Sequence, residues 1–367
     1  MTLQRSRPWW LFAALLVPVF LAACAGAPQQ PAEPAGATFY PPAPELPRIQ
    51  HLTSFRGEND FAAKLSSFAQ FLAGEEKGRS LVTIYGVAIH EGRIFAVDSK
   101  SAGIAIFDLN KQQFSVFVGT GRGKFKVPIN ITIDKDGTRY VTDTGLNQVL
   151  RFDRDGGFLG AFGEPGQFRP IDVAISGNRL YVVDLEHGEV QVLDKVSGKL
   201  LFKFGNDRTK ANTMLHPTNI AIAPNGDVLV VDTSNFRIRR FSADGKPVRD
   251  FGVVGDTPGT FARPKGIAVD RSGNVYVSDS AFQNVQVFNN EDHLLMAFGQ
   301  PEKGEGMSLP AAVKIDYDNV ALFKKYADPN FDIEYLILVT SQVAPNKVDV
   351  FGFGRMAGLD YTPRTKP

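Results

Sequence analysis

From Leu81 onward the chain repeats with a period in the forties, and that repeat restricts its fold more than any other feature. A short apolar or hydroxyl-bearing pair followed by Asp recurs at Asp98, Asp143, Asp184, Asp232 and Asp279, spaced 45, 41, 48 and 47 residues apart. Six residues after each Asp stands a β-branched residue: Ile104, Val149, Val190, Ile238 and Val285. Nine after it stands a large hydrophobe: Phe107, Phe152, Leu193, Phe241 and Phe288. An apolar residue and a Gly end each unit, as in Phe251-Gly252 and Phe298-Gly299, and a Pro opens the next, at Pro128, Pro170, Pro217, Pro264 and Pro310.

Within a unit the pattern spells four strands. Gly266–Val269 is short and apolar, Asp270–Gly273 is a turn, and Asn274–Ser278 alternates. Val285–Phe288 and Leu294–Phe298 follow. Turns such as Asp134–Gly137 and Ser242–Gly245 supply Asp and Gly where a positive φ is needed. Four short antiparallel strands per period are the mark of a propeller blade. The opening Pro264-Lys265-Gly266-Ile267-Ala268-Val269 and the run Asp232–Ile238 resemble the NHL-repeat family of β-propellers. The resemblance implies an all-β, six-bladed propeller, NHL- or YWTD-like, over residues 48–356, with its blades in 81–356.

The sixth unit departs from the others. Pro310–Ile315 opens normally, residues 319–332 are an insertion, and the strand Tyr335–Val339 ends in Thr340, where the repeat calls for Asp. Val348–Phe351 is its third strand. Its fourth is expected from the other end of the chain, because Phe55…Phe61 keeps the spacing of Phe162…Phe168. Residues 48–55 therefore read as a strand that closes the ring and removes a free edge. Phe61, Leu65, Phe68 and Leu72 fall at helical spacing, which predicts a short amphipathic helix over 61–73, before blade one.

The first residues read as a processing signal. Arg5 and Arg7 precede an apolar run of 15 residues, Trp9–Ala23, too short to span a bilayer. It ends in Leu21-Ala22-Ala23-Cys24, which resembles the lipobox of bacterial lipoproteins; Cys24 is the expected lipid attachment site, and residues 1–23 the signal peptide. Residues 24–47 hold seven prolines and read as a semi-extended tether, and 357–367 as a tail. Ala25 after that Cys points to the outer membrane, on its periplasmic side or at the surface. Cys24 is the single Cys, which excludes disulfides, iron–sulfur clusters and cysteine–zinc sites within the chain.

The search for chemistry ends at one candidate place. Loops after the second strand and before the innermost strand share one face of a propeller. The position two after each opening Pro faces the channel mouth there and is polar in blades two to four, at Asn130, Asp172 and Asn219. With His216 and His187 in nearby loops, these five form a candidate ligand site, for Ca or Zn if it takes a metal. The competing reading is hydrated polar side chains. The recurring Asp98, Asp143, Asp184, Asp232 and Asp279 read as structural loop caps, since a catalytic residue is needed once rather than in every blade. Amidating lyases and lactonases on related propellers bind metal through several His or acidic ligands, and this chain has five His in all. Lys and Arg number 40 against 39 acids, so polyanion binding is not the default, although some relatives bind RNA on a basic top face. The reading is a non-catalytic protein-binding or scaffolding module of an envelope complex, held to the membrane by its lipid. It binds no nucleic acid and needs no cofactor. The alternative is a metal-dependent hydrolase or lyase at the channel mouth of blades two to four.

Overall fold

A computed structural model describes residues 37–61, 80–206, 213–300 and 306–362. Five sheets have four antiparallel strands in chain order, and a sixth has five. Blade one starts at Ile84–His90, and blades two to five at Pro128–Ile133, Pro170–Ser176, Pro217–Ile222 and Pro264–Val269. Each of these innermost strands touches the innermost strand of the next blade, and Pro310–Asp316 of blade six touches that of blade one, so the six form a closed ring. The chain is a six-bladed β-propeller.

The wedges between blades are filled by six separate hydrophobic clusters, one per seam. The residues six and nine after each Asp supply these clusters, because a period-two strand that is covered on both faces needs apolar side chains on both. The Gly that ends each unit is needed for room. Gly252 has φ +94°, and a Cβ there would lie 2.4 Å from the ring of Phe261, which plugs the seam three residues before Pro264.

Blade six is made from both ends of the chain. Ile49–Phe55 pairs antiparallel with Val348–Met356, with Phe55 opposite Val348 and Ile49 opposite Phe353. Ile49, Leu52 and Phe55 are buried in the two seams flanking this blade. Burial of each contributes roughly 1.5–3 kcal/mol, as an upper bound. His51, Ser54 and Asp349 tie the pair further, with the Ser54 hydroxyl donating to Asp349 Oδ1 at 2.6 Å. The stretch expected to be a tether is already structured by Phe39–Tyr40, which adds a short fifth strand outside Ile49–Phe55. The helix expected over 61–73 lies outside the described residues beyond Phe61, which ends a 3-10 turn, Glu58–Phe61.

The expectation that Thr340 takes the Asp place is corrected by the register. Pro310 faces Ser341, as Pro264 faces Asp279 and Pro217 faces Asp232. Thr340 matches Ser278 and Thr142 instead. These three hydroxyls make the same pair of bonds. Each accepts from the N–H two after the opening residue, at Asn130, Gly266 and Ala312, and donates to a carbonyl of the next blade, at Ile171, Ala311 and Tyr85. They clasp neighbouring innermost strands together near the axis.

The five recurring Asp side chains are buried and accept bonds from the loops on either side. Asp143 takes the N–H groups of Lys126 and Val127, before its blade, and of Gly145 and Leu146, after its own strand, at 2.7–3.0 Å. Asp279 repeats this with Ala262, Arg263, Ala281 and Phe282. One carboxylate thus satisfies four otherwise orphaned donors and locks two loops. Asp143→Ala should lower stability by about 2–4 kcal/mol, read as a fall in the denaturant midpoint, with Asp143→Asn losing less. An unchanged midpoint for Asp143→Ala would rule out this role.

Candidate functional site

Antiparallel meander order puts the loops after each second strand on the same face as those before each innermost strand, called the top here. The candidate residues sit on or below that face, and the structure brings only some of them together. Asn130, Asp172 and Asn219 are 0%, 1% and 2% exposed, so they are not hydrated side chains at an open mouth. Asp172 and Asn219 touch: Asn219 Nδ2 donates to Asp172 Oδ2 at 3.1 Å, and the Ile220 N–H donates to the same oxygen at 3.1 Å. Oδ1 accepts from the Val173 N–H at 2.8 Å.

That pattern gives Asp172 a local structural duty. Blade three has Val183 where blades two, five and six carry the clasping hydroxyl, and Asp172 bonds across the seam to blade four in its place. Burial pushes its carboxyl above the usual range, with Lys314 opposing. Asn130 Nδ2 and Asn219 Oδ1 are buried with no hydrogen-bond partner among the described residues.

The two histidines go elsewhere. His216 lies exposed at the top, in a left-handed backbone conformation with φ +58°. His187 turns to its own loop cap, with Nδ1 2.6 Å from Asp184 Oδ2. Its pKa is raised, first by that hydrogen bond and then by the charges of Asp184, Glu189 and Glu186. Asp184, His187 and Glu189 are the one group of three metal-type side chains close together among the described residues. Its donors are already engaged. Asp184 also accepts from Arg169, Glu186 and His187 N–H groups and from Gln191, and the Lys203 ammonium sits 3.1 Å from Glu189.

Nearer the axis the structure gathers residues that the candidate set left out. Tyr85 and Lys265 each stand one place after the opening residue of their strand, in blades one and five. Blade six, which separates them, has only Ala311 at that position, followed by Ala312. The Lys265 ammonium therefore reaches across to lie 5.5 Å from the centre of the Tyr85 ring. Nζ donates to Gln342 Oε1 at 3.3 Å. Burial, and secondarily the charge of Arg263, pushes Lys265 down to about 8. Burial and the Asp172 charge push the Tyr85 phenol up. The signal in the sequence was a long polar side chain at a repeat position that is apolar or small in blades two, three and six.

The rest of the top face mixes cations, exposed acids such as Glu164, Glu186 and Asp256, and apolar side chains. Lys124, Lys126, Arg169 and Arg263 form no ion pair among the described residues; on the opposite face Arg154 pairs with Glu91 at 2.7 Å and Lys195 with Asp134 at 2.6 Å, while Lys135, Lys199 and Lys246 form none. Val82, Val118, Leu215, Val253, Val254 and Val343, all in top-face loops, are 41–65% exposed.

Comparison with known proteins places this fold in context. The NHL repeat model matches residues 214–241 and 261–288. The chain is 30% identical over 146 residues to Protein brain tumor of Drosophila melanogaster, covering 38% of this chain and 14% of that protein. It is 29% identical over 160 residues to the peptidyl-glycine alpha-amidating monooxygenase of Mus musculus, covering 39% and 16%. The chain thus spans well under half the length of these curated relatives. A gluconolactonase from Xanthomonas campestris superposes with a TM-score of 0.55 at 16% identity, over 89% of this chain and 99% of that one, which is a likeness of fold.

The His187–Asp184 bond has a pH signature. A histidine whose folded pKa is raised adds stability that is fully present below its unfolded value of 6.5 and is lost as pH rises through the folded value. The thermal midpoint of the protein should exceed that of His187→Gln by more at pH 6 than at pH 9. Equal differences at both pH values would show that the bond carries no charge.

Proposed function

We propose that this chain is a lipid-anchored envelope protein whose propeller binds a protein partner on its top face and performs no chemistry of its own. The observation that carries this reading is the make-up of the top face, which exposes the aliphatic Val82, Val118, Leu215, Val253, Val254 and Val343 beside Lys124, Lys126, Arg169 and Arg263, cations that form no ion pair among the described residues. Exposed apolar side chains interleaved with polar ones are how interaction surfaces of soluble domains are built.

The alternative, metal-dependent hydrolysis or lyase chemistry at the channel mouth, finds less support. Asp172 is engaged by three donors, His187 by Asp184, and His216 faces solvent. That donor set does not suit a catalytic metal, which needs several ligands aimed at one open point. The lipid anchor is inferred from the sequence around Cys24, which lies outside the described residues, and the outer-membrane location rests on that anchor and Ala25.

Two measurements test the proposal. Cross-linking in native membranes followed by mass spectrometry should capture a protein that is lost with Val253→Asp/Val254→Asp and kept with Val196→Asp on the opposite face. Capture unaffected by the top-face pair would contradict the assignment of that face. Labelled palmitate should be incorporated into the protein and not into Cys24→Ala, which should leave the membrane fraction. A Cys24→Ala protein that stays labelled would end the lipoprotein reading.

A further inference from the structure

Lys265 and Arg263 are two cations at the axial end of the top face that no carboxylate of the described residues neutralises. Elsewhere several buried or half-buried cations are matched by a carboxylate, Lys195 by Asp134, Arg237 by Asp232 and Arg239 by Asp250, and buried Arg139 and Lys347 donate to backbone carbonyls instead. A half-buried ammonium held over an aromatic ring with one neutral amide as its partner is an underused donor, because –NH₃⁺ carries three. Asp172, the acid whose charge reaches Tyr85, is spent on blade four. Beside the cations lie apolar surfaces, the Tyr85 ring below Lys265 and exposed Val343 next to Gln342 in the chain.

We infer that the axial end of the top face binds a small organic carboxylate, its oxygens on Lys265 and Arg263 and its apolar body on the ring of Tyr85. The inference stands apart from the protein-partner reading, since it needs only the cations and the ring. The Gln342 amide can donate to the ligand once Lys265 turns to it. An inorganic cation is disfavoured by two positive charges, and a neutral ligand would leave them unmatched. Bringing a carboxylate against Lys265 favours its charged form, so binding and protonation reinforce each other.

The test uses the intact protein with lysines reductively methylated with carbon-13, which keeps their charge. The Lys265 signal is the one missing from Lys265→Met. Benzoate in the millimolar range should shift it saturably and raise its titration midpoint. Benzamide, the neutral counterpart, should leave it in place. Calorimetry should show benzoate binding weakened about tenfold or more in Lys265→Met, retained in Lys265→Arg, and unchanged in Lys199→Met, an exposed lysine on the opposite face. Full-strength binding to Lys265→Met, an equal response to benzamide, or no shift with benzoate overturns the inference. Failure here leaves the cross-linking result untouched, and the reverse.

Discussion

Every blade of this protein depends on having two neighbours. A four-stranded sheet covered on one face only would leave half its apolar side chains in water, and each seam cluster exists because the ring closes. Closure rests on one antiparallel contact, between Ile49–Phe55 and Val348–Met356. The same contact buries Leu52 and Phe55 against blade one and Ile49 against blade five, so it completes two seams at once.

Polar groups near the axis solve a second problem. The innermost strands approach closely, and their backbone groups must find partners where water is scarce. Hydroxyls at Thr142, Ser278 and Thr340 bridge to the next blade, Thr218 and Thr233 do so between blades four and five, and Asp172 does so between three and four. Of the polar side chains that resemble a ligand site in the sequence, Asp172 with Asn219 is thereby explained as a seam fastener. The Lys265 ammonium has no such duty: it lies over the Tyr85 ring and bonds only to the Gln342 amide.

The fold was legible because a repeat multiplies a weak signal. One apolar strand is ambiguous, but five units sharing the offsets of Ile104, Phe107 and their counterparts are not. The closing strand was legible from the Phe55…Phe61 spacing. The alignment of Thr340 was not, because blade six carries a longer hairpin, Phe331–Met356, and has Ser341 where the other units have the Asp that marks the position. The candidate site was the least legible part. Asp172–Asn219 and Lys265–Tyr85 join residues of different blades, so their meeting depends on blade count and ring radius, which no local pattern records. The contact of His187 was not legible either, since it depends on how its loop turns the ring back onto Asp184 three residues earlier.

Building blade six from both chain ends sets a timetable for synthesis. The strand Ile49–Phe55 is made long before its partner, with bonds such as His51 to Asp349 spanning 298 positions. Until then the first and last seams have no cover, and contacts this remote in sequence form slowly. The two seams that flank blade six are therefore the last part of the core to be covered, after the four between blades one and five.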